Sequence, residues 1–302
     1  MFAPRCVREP SGVPGAEARA LGGGPSSVPS DRFGMTAIVP GARKPTTNPG
    51  PARTRTRLGR MQAVLWGKDH LELGEIVTRG VGSRAALAIT RGQHRKAYSY
   101  TDPNEDAAVA VVGERATLLA VADGHNGWPA TEAVISTVVG TLGVDPPPAN
   151  VPDDILVDLF HRASQAVLDV TGRPGSAAPD SRTTLVVALV ADRRLQWASF
   201  GDSALYTVTR AAAVPLARPR HMFVGYPMPR RAVEWGLDRG TTELTHGEWV
   251  VAATDGFVDF AHPFPTPLFT DDADAKEIAE GLVSAACQGG AGDNVAVAVA
   301  GP

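Results

Sequence analysis

Four short acidic knots stand in a fixed order along this chain: Asn104-Glu105-Asp106, Asp123-Gly124-His125, Asp255-Gly256 and Asp293-Asn294. Three of them sit at an end of an apolar run of strand type. Carboxylates on rigid strand ends suit hard divalent cations, because Mg²⁺ and Mn²⁺ take oxygen ligands in near-octahedral order and keep several waters. Asp106 and Asp123 lie on either side of two β-type runs, Ala107 to Val112 and Thr117 to Ala122, separated by Gly113-Glu114-Arg115. That spacing predicts a hairpin, and antiparallel pairing puts the start of one strand and the end of the next at the same end of a sheet. Asp255 follows the run Glu248 to Ala253, and Asp293 precedes Val295 to Ala300, so all four carboxylates can meet at one rim. Gly124 and Gly256 let the backbone turn sharply there, and a glycine carbonyl can approach a metal. Asp123-Gly124 alone is more often a strand-ending turn. The series of four carries the metal reading.

The elements that must position these acids alternate between β-runs and two inserted helices. Arg84 to Thr90 reads as a first strand. Pro129 opens a helix to about Leu142, at the first-turn position proline tolerates. Val144 to Pro152 is a Pro-rich loop, and Asp153-Asp154 starts a second helix whose first-turn acids suit the helix dipole. Ile155, Leu156, Leu159, Phe160, Ala163, Ala166 and Val167 fall on one face of that helix. After a loop from Thr171 to Asp180, three strands follow at Thr184 to Val190, Leu195 to Phe200 and Leu205 to Thr209. Asp192-Arg193 and Gly201-Asp202 are the turns between them. Arg210 to Gly240 reads as irregular, and Ala273 to Cys287 as a helix. Many β-runs with helices inserted as a pair predict an α+β layered fold rather than a parallel βαβ sheet.

The chain has 302 residues, is 43% hydrophobic and 20% charged, and carries a formal net charge of −3. Near-neutral charge argues against general nucleic-acid binding, which needs a basic face. Cys6 and Cys287 make no disulfide framework and fit a reducing compartment. No apolar run is long enough to span a bilayer and no signal segment opens the chain, so a cytoplasmic protein without a membrane partner is expected. Residues 1–60 are rich in Pro, Gly, Ser and Arg and read as a disordered tail; Arg53, Arg55, Arg57 and Arg60 are read as solvated. The folded domain is expected at 61–302.

Six motifs in order make the sequence resemble the metal-dependent protein phosphatases of the PPM, or type 2C, family. They are Asn104-Glu105-Asp106-Ala107, Val121-Ala122-Asp123-Gly124-His125-Asn126-Gly127, Thr183-Thr184-Leu185-Val186-Val187-Ala188, Ala198-Ser199-Phe200-Gly201-Asp202-Ser203, Ala253-Thr254-Asp255-Gly256-Phe257-Val258-Asp259 and Gly292-Asp293-Asn294-Val295-Ala296-Val297. The match runs from Ala85 to Gly301. The resemblance implies a four-layer α-β-β-α sandwich, a central antiparallel β-sandwich flanked by helix pairs, with two Mn²⁺ or Mg²⁺ ions at one end. It implies that Asp123 bridges both ions, with the Gly124 carbonyl on one of them, that Asp255 and Asp293 complete the other site, and that Glu105 and Asp106 hold metal-bound waters. Asp259 with Asp255 is a candidate for a weaker third ion. A hydroxide between the ions would attack phosphorus directly, with no side-chain nucleophile, and His125 would be the general acid for the leaving alkoxide.

The sequence departs from the pattern where the substrate phosphate is usually gripped. Thr101 stands where the family often carries an arginine, four residues before the acidic pair. Lys96, Arg95 and Arg182 are the cations placed to take over, Arg182 standing where the family's strand motif has glycine. The segment Arg210 to Gly247 looks short for the flap of bacterial relatives, with His221 to Pro229 as its remnant. Asp202 is read as a turn residue, and Trp128, Trp197 and Trp249 as packing. The expected function is a Mn/Mg-dependent protein serine/threonine phosphatase, monomeric, acting on phosphorylated Ser/Thr proteins against an opposing Ser/Thr kinase. The rival readings are a non-catalytic metal-binding signalling module and a small-molecule phosphomonoesterase. The Ala- and Arg-rich, Lys-poor composition suggests a high-GC bacterium.

Overall fold

A computed structural model describes residues 60–96, 104–144 and 147–301. The expected tail, apart from Arg60, lies outside the described residues, as does Thr101. The strands are β1 (Met61–Trp66), β2 (Ile76–Val81), β3 (Ala85–Thr90), β4 (Ala107–Val112), β5 (Ala116–Ala122), β6 (Gly124–His125), β7 (Arg182–Thr183), β8 (Leu185–Ala191), β9 (Arg194–Phe200), β10 (Ala204–Val208), β11 (Ala213–Pro215), β12 (Asp238–Glu243), β13 (Trp249–Ala253) and β14 (Val295–Ala300). The helices are α1 (Pro129–Thr141), α2 (Asp153–Thr171), α3 (Arg230–Gly236), α4 (Asp255–Phe260) and α5 (Ala275–Gln288).

Two six-stranded antiparallel sheets stack face to face. The first runs β1-β4-β5-β8-β9-β12 and the second β11-β10-β13-β14-β3-β2. Their central strands are buried on both faces, so β3, β4 and β14 read as continuous Ala/Val/Leu runs rather than alternating with polar residues. Successive side chains still point to opposite faces. In β4, Ala108 and Ala110 meet Leu87, Ala296 and Ala298 of the second sheet. Val109 and Val111 turn outward onto Val134, Ile135 and Val138 of α1 and Leu159, Phe160 and Ala163 of α2. On the far side Ala86, Ala88, Val297 and Val299 pack on Ile278, Ala279, Leu282 and Val283 of α5. Three cores in succession therefore hold four layers, the α-β-β-α sandwich expected from the motifs. The helix pair on the first face is α1 with α2; on the second, α5 stands beside the short α4.

The predicted hairpin forms as β4 and β5, in the register Ala107↔Ala122. The α5 helix starts at Ala275 because Asp274 caps it, its carboxylate accepting from Lys276 N at 2.8 Å. Three differences from the sequence reading have local causes. Residues Arg210 to Gly240 are not irregular throughout, since they include β11, α3 and the first part of β12. Strands β1 and β2 went unread because they lie against one neighbour or at the sheet edge and bury few residues. Asp255-Gly256 is not a bare turn: it opens α4, with Thr254 as the flanking residue.

Candidate metal centre

The antiparallel registers bring the acids together. Asp106 precedes β4 and Asp123 follows β5, and the Ala107↔Ala122 pairing makes them neighbours in the first sheet. Ala253 faces Val297, so Asp255 beyond the end of β13 and Asp293 before β14 share the matching end of the second sheet. Side chains then tie the two sheets across this end. Thr254 Oγ1 donates to Asp106 Oδ2 at 2.8 Å, and Glu105 N donates to Asn294 Oδ1 at 2.9 Å. Thr184 fixes the backbone of Asp123, accepting from its N–H at 3.1 Å and donating its own N–H to the Asp123 carbonyl at 3.0 Å. Thr184 Oγ1 is also 2.6 Å from Ser203 Oγ. The Thr-Thr and Gly-Asp-Ser motifs thus support the acids from behind.

Two glycines admit the close approach. A Cβ on Gly256 would overlap the Asn294 carbonyl, and one on Gly124 would overlap the carbonyl and Cβ of Glu105. Only a residue without a side chain fits at either crossing. Glu105 is itself buried; its Oε1 accepts from Gly127 N, and its carbonyl accepts from Thr131 Oγ1 at 2.9 Å.

Packing carboxylates this densely disfavours their charge. Burial, with Asp293 and Asp255 nearby, pushes the Asp106 carboxyl up to about 8, despite the opposing effects of Lys96 and Thr254. Asp123 is part-exposed to solvent yet so surrounded by protein that burial, then Asp106 and Asp255, raises its carboxyl well above the ordinary value. Asp255 is raised too, by burial first, while its hydrogen bond with Asp123 acts downward. Lys96 supplies the positive charge at this rim. Its Nζ lies 2.9 Å from Asp293 Oδ1 and 3.0 Å from Glu105 Oε2. Burial works against that ammonium, but Asp293, Asp106 and Glu105 together hold its proton more tightly than usual.

The donor set fits hard divalent cations: all oxygen, mostly carboxylate, on rigid strand ends, with a lysine ammonium already drawn in to offset the negative charge. As the side chains stand, no three His, Cys, Asp or Glu among the described residues enclose an ion-sized space. Asp123 is paired with Asp255, and Asp293 with Lys96. An ion would replace these pairings.

Of the remaining candidates, some stand beside the acids and Arg182 does not. His125 is exposed, its backbone pairs with Arg182 across β6 and β7, and its ring stacks on Phe223 with centroids 5.2 Å apart. Phe223 belongs to the His221–Pro229 segment, which therefore reaches His125. Asp259 is exposed on α4 and its charge acts on Asp255. Arg182 points elsewhere: its guanidinium lies 5.0 Å from the Tyr226 ring centroid and donates to the Ser181 carbonyl at 2.5 Å. Its buried Nε has no hydrogen-bond partner. Asp202 stands in the turn between β9 and β10, as expected, and is also close enough to Asp255 and Asp259 for their charges to interact, with His221 Nδ1 3.9 Å from its Oδ2. Burial raises its carboxyl.

No family model matches this sequence, and none of the curated proteins matches it. Solved structures do match. The Mycobacterium tuberculosis serine/threonine phosphatase PstP/Ppp is 22% identical, with 72% of this chain and 97% of that one covered at a TM-score of 0.57. The catalytic domain of PstP, solved in complex with two manganese ions, is 21% identical over 75% of this chain and 99% of its own, at a TM-score of 0.55. A serine/threonine phosphatase from Staphylococcus aureus is 17% identical over 77% of this chain and 98% of its own, at a TM-score of 0.60. The chain therefore has the fold of the bacterial PPM-type serine/threonine phosphatases.

Proposed function

We propose that residues 61–302 form a Mn²⁺- or Mg²⁺-dependent phosphatase domain that hydrolyses phosphoserine and phosphothreonine in proteins, with residues 1–60 outside it. One observation carries this reading: Glu105, Asp106, Asp123, Asp255 and Asp293 meet at one end of a sandwich shared with serine/threonine phosphatases, one of them solved with two manganese ions. Asp123, the Gly124 carbonyl, Asp255 and Asp293 would hold two ions, Glu105 and Asp106 would hold waters beside them, and Asp259 with Asp255 would offer a weaker third place. Bound there, the ions would lower the pKa of water and offset phosphoryl charge.

The chain's own residues do the rest. His125 faces solvent at the rim with its ring set by Phe223, placed to give a proton to the departing serine or threonine oxygen, which leaves poorly as an alkoxide. Lys96 rather than Arg182 is the cation among the acids, so it is the candidate to meet a substrate phosphate. A phosphoprotein substrate, an opposing Ser/Thr kinase, a cytoplasmic setting and a monomer go with this reading. Among the described residues no guanidinium contacts the acids, and this favours a non-catalytic metal-binding role as the second reading.

The test is hydrolysis of p-nitrophenyl phosphate, a phosphothreonine peptide and a sugar phosphate by the full chain, with Mn²⁺, with Mg²⁺ and with EDTA. Metal-dependent turnover that favours the peptide, and that drops at least ~100-fold in Asp255→Asn, is expected from losing several kcal/mol of charge stabilisation. A folded protein that binds Mn²⁺ but turns over none of the three is a binding module, and one that prefers the sugar phosphate is a small-molecule enzyme.

A further inference from the structure

Lys96 occupies the place of a cation. Its ammonium lies within 3.0 Å of Glu105 Oε2 and Asp293 Oδ1, with only 14% of its side chain exposed. Glu105 leads into the first sheet and Asp293 into the second, so one side chain bridges the layers at their acidic end. Asp106 adds its field from the same side. Asp293 is among the residues that would hold a divalent ion, and Glu105 among those that would hold its waters.

We propose that Lys96 is a tethered counter-cation that competes with divalent metal for Asp293 and Glu105, and that its release on metal binding delivers its ammonium to the substrate's phosphate. This rests on the metal-dependent reading above. An ammonium and a divalent ion cannot share the same carboxylate oxygens, since like charges at such separations repel strongly where water is scarce. Lysine suits an exchange of this kind. It is a compact point charge on a flexible four-carbon stem, able to leave without backbone rearrangement, whereas a guanidinium fork would grip a carboxylate bidentately. The acids then stay neutralised at each stage, first by the lysine and afterwards by metal. A permanent structural ion pair predicts the opposite response, because removing it would loosen the ligands and weaken metal binding.

The experiment is titration of the metal-free full chain with Mn²⁺, followed by electron paramagnetic resonance of the free ion, for wild type, Lys96→Met, Lys96→Gln and Lys96→Arg. Neutral replacements are expected to bind Mn²⁺ at least ~10-fold more tightly, about 1.4 kcal/mol, and Lys96→Arg, whose fork grips the carboxylates harder, to bind it more weakly than wild type. Inorganic phosphate should bind the Mn²⁺-loaded neutral variants ~10-fold more weakly than wild type. Lys96→Gln keeps a polar end and gives the answer should Lys96→Met fail to fold. Equal or weaker Mn²⁺ binding by the folded neutral variants overturns the competition, and unchanged phosphate binding overturns the delivery. Absence of Mn²⁺ binding in every form overturns the metal reading and this proposal with it.

Discussion

Replacing Asp106 by asparagine should stabilise the metal-free protein. In the unfolded chain this carboxyl titrates near its ordinary value of 3.8; in the fold it is pushed up to about 8 by burial and by Asp293 and Asp255. Between those values the folded state holds a proton that the unfolded state has released. Stability is therefore complete below about pH 4, falls as pH rises, and levels off above about pH 8. Each pH unit is worth about 1.4 kcal/mol, so by pH 7 the loss from this one group is about 4 kcal/mol. Asparagine has nearly the same shape, cannot ionise, and keeps an oxygen to accept from Thr254 Oγ1, now 2.8 Å from Asp106 Oδ2. Asp106→Asn should thus recover up to about 4 kcal/mol at pH 7, a rise of roughly 10 °C in Tm for a domain of this size. The assay is urea unfolding followed by circular dichroism in EDTA, at pH 4, 7 and 8.5. Wild type should weaken across that range and Asp106→Asn should weaken less. With saturating Mn²⁺ the order should reverse, because wild type then gains more from the ligand. If Asp106→Asn in EDTA is less stable than wild type at pH 7 by as much as at pH 4, the acids do not repel one another and the electrostatic account of this rim is wrong.

Two further outcomes bear on the same site. Gly256→Ala would drive a Cβ into the Asn294 carbonyl, whose side chain holds Glu105 N at 2.9 Å; a loss of about 1–3 kcal/mol in urea unfolding is expected, with weaker Mn²⁺ binding. A wild-type denaturation midpoint would refute that close approach. His125→Gln should slow phosphothreonine peptide hydrolysis by ~100-fold or more while sparing p-nitrophenyl phosphate, whose phenolate leaves without a proton. Equal losses on both substrates would remove His125 from the proton-transfer role.

The acids were legible because their placement is a local matter. Alternation, a three-residue turn and an Asp-Gly after an apolar run fix where strands end, and antiparallel pairing fixes which ends coincide. The hairpin register Ala107↔Ala122 shows how short the inference is. Strands β1 and β2 lacked that signal, since an edge strand with few buried residues carries little apolar periodicity. Helix α4 was hidden for another reason: its six residues begin with the Asp-Gly of the Thr-Asp-Gly motif, and nothing in their spacing distinguishes a turn from so short a helix. The Lys96 ion pairs were beyond reach in kind. Asp293 is remote from Lys96 in sequence, and the pairing depends on how two sheets meet, which no run of residues encodes by itself.

That meeting also explains why the strands are built from alanine. The site draws Glu105, Asp106 and Asp123 from one sheet and Asp255 and Asp293 from the other, so its geometry depends on the distance between layers. In the inter-sheet core Ala85, Ala108, Ala110, Ala252, Ala296 and Ala298 stand among larger side chains such as Leu87, Ile89, Leu119 and Leu195. Small residues let the layers close until Thr254 reaches Asp106 and Asn294 reaches the Glu105 N–H, at 2.8 and 2.9 Å. A leucine at Ala108 or Ala298 would have to push the sheets apart or move off its rotamer. Either response would lengthen those two cross-sheet bonds and separate the acids of one sheet from those of the other. Packing in the middle of the sandwich and chemistry at its end are therefore one constraint, met by the same alanines.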